Sequence, residues 1–95
     1  MSRIFWTQAA LDDLEGIRDY IARDSVHYAK KFVDDAFDAV GRLEMFPESG
    51  RMVPERYSPE FREVIFGSYR IIYKIVNCDV YIVTIIHGKR NYQPD

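Results

Sequence analysis

The stretch FREVIFGSYRIIYKIVNCDVYIVTIIHGKR, residues 61–90, decides the fold of this chain. It contains three runs rich in Ile, Val, Tyr and Phe, side chains that fit a pleated strand well; the runs are Phe61 to Phe66, Tyr69 to Val76 and residues 80–86. Only Gly67 and Ser68 separate the first two runs, which is the spacing of a tight hairpin whose glycine adopts a positive φ. Residues 77–79 form the second short connection. The stretch therefore predicts a three-stranded antiparallel meander.

The middle run alternates between two kinds of side chain. Because successive side chains of a strand point to opposite faces, we expect one face to carry Tyr69, Ile71, Tyr73 and Ile75, and the other to carry Arg70, Ile72, Lys74 and Val76. The first face is suited to packing against helices. The second face holds two long cations, so we expect the functional site there.

The residues before the meander predict a short strand and two helices. Residues 3–6 form the strand, and Thr7 caps a first helix whose buried stripe is Ala10, Leu14, Ile17 and Ile21. Asp24 or Ser25 caps a second helix whose buried stripe is Ala29, Phe32, Ala36, Val40 and Leu43. This helix ends by Phe46 because Pro47 cannot continue it. The two helices are expected to form an antiparallel hairpin that covers the sheet.

The predicted architecture is α+β, in the order strand, helix, helix, strand, strand, strand, with one domain spanning residues 1–95. Residues 47–59 are the irregular part, with turn-forming Pro and Gly, and they include Arg51 and Arg56. No signal peptide is recognisable at the N-terminus, and Lys74, Asn77 and Asp79 interrupt the apolar run of the meander. The single cysteine, Cys78, excludes an internal disulfide framework. We therefore expect a soluble cytoplasmic protein that does not associate with membranes.

The charge distribution is uneven. The formal net charge is −2, which argues against general nucleic-acid coating and against direct DNA binding by this chain alone. Residues 1–50 hold six Lys and Arg against ten Asp and Glu, whereas residues 51–95 hold seven against five. The basic half of the chain is thus the half that forms the sheet.

Most known catalytic constellations are absent from the sequence. It has no glycine-rich phosphate loop, no Cys and His spacing for a metal, and no Ser or Cys nucleophile with a recognisable helper, so we predict no metal and no cofactor. The remaining chemical feature is a predicted basic cluster of Arg62, Arg70, Lys74, His87, Lys89 and Arg90. The third strand returns beside the second, so His87 and Arg90 should approach Tyr69 and Arg70. For Arg62 and Lys74, pairing with Glu60, Glu63 or Asp79 is the favoured interpretation; for Arg70 and Arg90, a functional role is favoured.

Several motifs, taken in their order, resemble the RelE/ParE superfamily of toxins from bacterial type II toxin–antitoxin modules. They are Phe46-Pro47 followed by Ser49-Gly50-Arg51, then the sequence YRIIY at residues 69–73, and finally the sequence IIHGKR at residues 85–90. The resemblance covers almost the whole chain. It implies two alternative mechanisms: RelE-like members are ribosome-dependent ribonucleases that cut mRNA, and ParE-like members bind and poison DNA gyrase.

The resemblance to RelE-like enzymes is incomplete at the catalytic positions. Arg70 and Arg90 match their two arginines, but their two lysines correspond here to Glu63 and Phe61. Arg62 lies between these positions and is a poor substitute. The tyrosine of those enzymes would fall beyond Asp95, and Tyr92 is out of register. If the chain were a ribonuclease, its catalytic residues would be Arg62, Arg70, Arg90 and Tyr92.

The ending His87-Gly88-Lys89-Arg90 is instead typical of ParE-like chains, so the resemblance favours a gyrase inhibitor that is not an enzyme. Target-binding residues would then be Arg70, His87, Lys89, Arg90 and Tyr92. A third hypothesis is a degenerate toxin that only binds its antitoxin. A toxin of either branch implies a cognate antitoxin, and Tyr20, Val33 and Phe37, which lie off the main buried stripes of the helices, are the candidate contacts.

Overall fold

The computed structural model describes residues 1–55, 60–90 and 92, and it has the expected α+β architecture. Its elements are β1 (Ile4–Trp6), α1 (Gln8–Ala22), α2 (Val26–Gly41), a 3₁₀ turn (Arg42–Glu44), β2 (Arg51–Met52), β3 (Phe61–Phe66), β4 (Tyr69–Val76) and β5 (Asp79–His87). The strands form one sheet in the order β1-β5-β4-β3-β2, in which β1 runs parallel to β5 and the other pairs are antiparallel. The predicted meander is confirmed. Of the predicted loop, residues 56–59, which include Arg56, lie outside the described residues.

Both predicted helix caps are present. The Thr7 hydroxyl accepts a hydrogen bond from the backbone N–H of Ala10 at 3.2 Å. The Ser25 hydroxyl accepts one from the N–H of Tyr28 at 3.1 Å, so the cap of α2 is Ser25 and not Asp24. The residues of the two predicted stripes other than Ala29 pack in the main core with Ile71, Tyr73 and Ile82 of the sheet. Ala29 is buried outside that cluster. None of the helices in the described part of the chain is long and apolar enough to cross a membrane.

The sheet has apolar side chains on both faces. One face packs against α1 and α2. On the opposite face, Val53, Phe61 and Ile72 form a second buried cluster, against which Val83, Ile86 and Tyr92 pack. The alternation predicted for β4 is therefore confirmed, but its second face is partly covered by residues from the loop after β2 and from the C-terminal segment.

A β-bulge in β5 was not predicted. Ile72 pairs with Thr84 and Tyr73 pairs with Ile82, so Val83 is an extra residue between them. A carboxylate oxygen of Asp13, on α1, accepts hydrogen bonds from the hydroxyl of Thr84 and, at 3.2 Å, from the N–H of Ile85. The bulge shifts the alternation by one residue, so that His87 emerges opposite Tyr69 at the end of the strand.

The turn between β4 and β5 contains two residues in the left-handed region, Asn77 with φ 51° and Cys78 with φ 68°. This is the turn geometry that favours Asn-Gly. We expect Cys78→Gly to raise the free energy of unfolding by about 0.5–1 kcal/mol, because relief of the Cβ strain exceeds the entropy that glycine adds to the unfolded chain. Urea denaturation measures the change. Cys78→Ser retains the Cβ and should bring no gain; an equal gain in both variants would show that the thiol, and not the backbone, was responsible.

Candidate functional site

Arg70 lies inside the protein and is held by two carboxylates. The residue is 5% exposed. Its Nε donates to Oε1 of Glu63 at 2.7 Å, and its two terminal nitrogens donate to the two oxygens of Glu55 at 2.8 and 2.7 Å. The side chain of Glu63 is completely buried. The guanidinium is thus saturated by the protein itself, and it does not present a free cation on the surface.

Arg51 completes this ion-pair network. Its Nε pairs with Oε2 of Glu63, whereas Arg70 binds Oε1 of the same carboxylate, and the Arg51 side chain remains 60% exposed. The network of Arg51, Glu55, Glu63 and Arg70 therefore contains two cations and two anions. Hydrogen bonding to Arg70 lowers the pKa of Glu55 to about 2, and the bond to Glu55 raises the pKa of Arg70 above its ordinary value. Arg70 and Glu55 are therefore both charged at neutral pH.

The network also fastens the C-terminal segment. Arg70 Nη1 donates to the carbonyl oxygen of Arg90 at 2.8 Å, and the N–H of Tyr92 donates to Glu55 at 2.8 Å. Tyr92 also packs against the second apolar cluster of the sheet. Residues 91 and 93–95 lie outside the described part of the chain. The hydrogen bond from Arg70 uses only the carbonyl oxygen of Arg90. The Arg90 side chain is exposed to solvent.

His87, Gly88, Lys89 and Arg90, here called the basic turn, are all exposed. The ring of His87 lies edge-on to Tyr69 with a centroid separation of 5.8 Å, and its Nδ1 accepts from the N–H of Lys89 at 3.2 Å. The N–H of Gly88 donates to the carbonyl of Ser68 at 2.7 Å. The predicted approach of His87 and Arg90 to Tyr69 and Arg70 is confirmed. The basic turn places three cationic or titratable side chains together on the surface.

The predicted basic cluster is divided between two faces of the sheet. Arg62 pairs with Tyr73 across the β3–β4 ladder, on the helix-facing side, whereas Arg70 lies on the opposite side. Arg62 Nη1 donates to the carbonyl of Gly50 at 2.8 Å and to that of Glu48 at 3.3 Å. The prediction that Arg62 pairs with Glu60, Glu63 or Asp79 is therefore wrong. The structure brings together Arg70, the basic turn and Tyr92, and it separates Arg62 from them.

The motif of Pro47, Gly50 and Arg51 has a structural explanation. The hydroxyl of Tyr73, a residue with no exposed surface, donates to the carbonyl of Pro47 at 2.7 Å and accepts from the N–H of Gly50 at 3.0 Å. Burial raises the pKa of this hydroxyl, so it stays protonated. Together with Arg62, Tyr73 holds the loop before β2 against the sheet, and this places Arg51 beside Glu63.

The three predicted antitoxin contacts differ in exposure, and Tyr20 and Val33 line different grooves. Tyr20 is 67% exposed and Phe37 is 47% exposed. The ring centroids of Phe37 and Trp6 are 5.2 Å apart. Val33 packs partly against the core. Tyr20 lines a groove of 420 Å³ between α1 and β5, which His87 and Arg90 also line. Val33 lines a separate groove of 370 Å³ along the helical hairpin.

Glu55 and Glu63 were missed as members of the site. For Glu63 a signal was present, because it occupies the same strand face as Phe61 and Ile65, and a carboxylate among alternating apolar residues predicts a buried cationic partner. For Glu55 the sequence held no such signal, since the residue lies in an irregular segment. Within the described residues, no group of three or more His, Cys, Asp or Glu side chains could hold a metal ion.

The lowered pKa of Glu55 predicts a defined acid sensitivity. A carboxyl group whose pKa falls on folding stabilises the native state above the pKa of the unfolded chain, and this stabilisation is lost as the pH falls through the folded value. For Glu55 the loss should run from about pH 4.5 to about pH 2. We expect the free energy of unfolding of Glu55→Gln to depend less steeply on pH in this window than that of the wild type. Parallel slopes for the two proteins would contradict the assignment.

Three comparisons place this chain among known proteins. The family model described as the ParE toxin of the type II toxin–antitoxin system parDE matches residues 4–92. The chain is 35% identical over 91 residues to Toxin RelE2 of Caulobacter vibrioides, covering 95% of this chain and 99% of that protein. It is 36% identical over 92 residues to Putative toxin Y4kP of Sinorhizobium fredii, covering 95% and 92%.

Two solved structures share the fold. One is the chromosomal ParDE toxin–antitoxin system of P. aeruginosa, with a TM-score of 0.77, 23% identity and coverage of 94% of this chain and 98% of that one. The other is the RelBE2 toxin–antitoxin complex of Mycobacterium tuberculosis, with a TM-score of 0.64, 21% identity and coverage of 90% of each chain.

Proposed function

This chain belongs to the ParE toxin family of type II toxin–antitoxin systems, and we propose that it arrests bacterial growth by binding DNA gyrase and that a cognate antitoxin neutralises it. The observation that carries the choice of gyrase over mRNA is the state of Arg70. A ribonuclease of the RelE kind needs cations that are free to contact the scissile phosphate. In this chain, the N–H groups along both hydrogen-bonding edges of the Arg70 guanidinium already bind Glu55 and Glu63.

The other candidate groups for RNA cleavage are also badly placed. Arg62 lies on the opposite face of the sheet and binds loop carbonyls. The positions at which RelE-like enzymes carry lysines hold the buried Glu63 and Phe61. Neither side chain supplies the cation that would stabilise an anionic transition state at these positions. These residues therefore do not supply the general acid and the general base that cleavage of RNA requires.

The basic turn is the surface that we assign to target binding. His87, Lys89 and Arg90 are exposed, and the network around Arg70 holds the backbone of this turn in place. Arg70 and Tyr92 contribute by supporting it, since Arg70 is buried and Tyr92 packs partly against the sheet. Gyrase and the ribosome both work in the bacterial cytoplasm, where we expect the chain to act.

Two assays on one preparation test the target. Supercoiling of relaxed plasmid by purified gyrase is measured with increasing amounts of the chain, and mRNA cleavage is measured on programmed ribosomes. We expect gyrase inhibition with intact mRNA. Cleavage of mRNA with unaffected gyrase would overturn the proposal and establish a ribonuclease, the alternative that the resemblance to RelE-like members implies. Neither effect, together with no growth arrest on induction, would establish a degenerate toxin.

Two variants locate the contact with gyrase. Lys89→Ala and Arg90→Ala remove exposed charge and leave intact the Arg90 carbonyl on which Arg70 depends. We expect each to weaken gyrase inhibition roughly tenfold, the effect of removing one charged anchor from an interface. Lys30→Ala on α2 is the matched control, an exposed cation in the helical layer. An equal loss in Lys30→Ala would show that net charge, and not the basic turn, determines inhibition.

The antitoxin is assigned to the helical layer. Both structurally similar systems are toxin–antitoxin assemblies by description, and Tyr20 and Phe37 leave large apolar side chains in solvent. Such side chains are typical of a surface that a partner covers. Val33 adds an apolar wall to the groove along the helical hairpin. We expect Tyr20→Ala and Phe37→Ala to weaken binding of the antitoxin without changing gyrase inhibition by the free chain.

A further inference from the structure

Two polar residues, one capping α1 and one within it, bind the bulge in β5. The hydroxyl of Thr7 donates to the carbonyl oxygen of the extra residue, Val83, at 3.3 Å. On the other side of the bulge, one carboxylate oxygen of Asp13 accepts from the hydroxyl of Thr84 and from the N–H of Ile85. A bulge takes backbone groups out of the strand ladder, and such groups need other partners when they are buried. Here α1 and its cap supply those partners.

The apolar pattern of β5 does not by itself specify the bulge. In the structure, Ile85 packs in the main core and Ile86 packs on the opposite face of the sheet. Without the bulge, the alternation that places Ile82 in the core would continue to Thr84 and Ile86. Ile86 would then take the place of Ile85. Because both registers supply an isoleucine to the core, the choice between them depends on polar contacts.

The register of β5 determines where the basic turn lies. With the bulge, His87 pairs with Tyr69 and lies on the side of the sheet that faces the helices. Without the bulge, Ile86 would pair with Tyr69, and His87 would point to the opposite face. The basic turn would also move by one residue, roughly 3.3 Å along the strand. The observed position of the basic turn is therefore a consequence of the bulge.

Gly88 favours the same register from the other end of this segment. Its N–H donates to the carbonyl oxygen of Ser68 at 2.7 Å, and a Cβ on Gly88 would lie 3.2 Å from that oxygen. A Cβ contact this short crowds the neighbouring backbone, so glycine fits best at this position. In the register without the bulge, His87 would occupy it instead. The bulged register thus avoids a close contact that the regular strand would make.

We propose that Asp13 is a positioning residue, which fixes the register of β5 and thereby presents the basic turn to the target. In the described part of the chain, its carboxylate binds only the bulge segment, through Thr84 and Ile85. The neighbouring Asp12 is exposed, and its carboxylate accepts from the side chain of Gln8 within α1. The inference rests on the proposed function only in naming gyrase inhibition as the activity that the register supports.

Nuclear magnetic resonance of the full chain tests the register directly. The ring centroids of Tyr69 and His87 are 5.8 Å apart, so the wild type should show nuclear Overhauser contacts between these rings. We expect Asp13→Ala to lose these contacts and to gain contacts between Tyr69 and Ile86. Asp13→Asn keeps an oxygen that accepts hydrogen bonds and should keep the wild-type contacts. A wild-type pattern in Asp13→Ala would overturn the proposal.

Inhibition of gyrase measures the consequence for function. We expect Asp13→Ala to weaken inhibition roughly tenfold, because the exposed cations of the basic turn are displaced, and Asp13→Asn to restore it. Asp12→Ala is the matched control, since it removes the same charge from the same groove, and it should change inhibition less than about twofold. Equal losses in Asp12→Ala and Asp13→Ala would overturn the proposal, because charge on α1 would then explain them.

Deletion of Val83 provides a test that holds even if Asp13→Ala fails to fold. Without this residue, a regularly alternating β5 keeps His87 opposite Tyr69 and no longer needs Asp13 to hold a bulge. We therefore expect the deletion to restore folding, the ring contacts and inhibition to Asp13→Ala, and no restoration of the ring contacts would overturn the proposal. If the wild type leaves gyrase unaffected, the proposed target fails, and the ring contacts still decide the role of Asp13.

Discussion

Gly50→Ala is expected to lower the free energy of unfolding by about 3 kcal/mol. A Cβ at this position would lie 2.5 Å from the hydroxyl of Tyr73 and 2.6 Å from the carbonyl oxygen of Glu63. The second contact is with backbone inside the sheet, so it cannot be relieved by rotating a side chain. Overpacking of this kind typically costs about 1–3 kcal/mol, and here it would also displace the N–H that binds Tyr73. Urea denaturation monitored by circular dichroism measures the loss.

Gly16→Ala is the matched control, because a Cβ on this residue of α1 would meet nothing within 4 Å. There we expect a gain of about 1 kcal/mol, the intrinsic preference of a helix interior for alanine over glycine. Tyr73→Phe combined with Gly50→Ala removes the contact with the hydroxyl but leaves those with the Glu63 carbonyl oxygen at 2.6 Å and with the ring carbon Cε1 of residue 73 at 2.8 Å, so it should recover only part of the loss. Full recovery would show that the backbone contact with Glu63 is unimportant, and a small loss in Gly50→Ala alone would contradict the explanation outright.

The meander could be predicted from the sequence because its information is local. Gly67 and Asn77 each begin a two-residue connection between strands. The three runs that these connections join are rich in residues that favour strands. The bulge at Val83 could not be predicted, because it depends on Asp13, a residue of α1 far away in the sequence. The two-residue strand β2 likewise forms because Tyr73 and Arg62 hold the preceding loop in place.

The candidate site was predicted in part for the same reason. Neighbours across the β4–β5 ladder follow from the hairpin register, so the approach of the basic turn to Arg70 was foreseeable. The neutralisation of Arg70 was not, because it requires Glu55 from an irregular segment and Glu63 from β3. Sequence patterns indicate where a cation lies along a strand, but they do not reveal whether carboxylates distant in sequence surround it.

Arg70→Ala is expected to destabilise the protein more than any other single substitution in the ion-pair network, by about 3–5 kcal/mol. It leaves the fully buried Glu63 with only Arg51 as a partner, and removing one member of a buried ion pair has a cost of this size. It also releases Glu55 and the Arg90 carbonyl, which loosens the C-terminal segment. Thermal and urea denaturation of the variant, compared with Arg62→Ala, measure the effect.

The double variant Glu63→Met with Arg70→Met distinguishes a structural arginine from a target-binding one. Replacing both charges by apolar side chains of similar size is often neutral for stability, and Glu55 and Arg51 are exposed enough to find water instead. We therefore expect the double variant to recover most of the stability lost in Arg70→Ala.

Under the gyrase inhibition proposed above, the double variant should retain part of the effect, because Lys89 and Arg90 keep their exposed side chains although the turn loses the contact of Arg70 with the Arg90 carbonyl. A stable double variant that loses more inhibition than Arg90→Ala would mean that Arg70 acts on the target directly. It would do so only if the carboxylates of Glu55 and Glu63 released its guanidinium when gyrase binds, and two charge-assisted contacts at 2.7 Å oppose that release. We therefore expect Arg90→Ala to be the more damaging change for inhibition and Arg70→Ala the more damaging change for folding. Measuring inhibition and the free energy of unfolding in both variants therefore distinguishes Arg70, which holds the basic turn in place, from the exposed side chains of the turn itself.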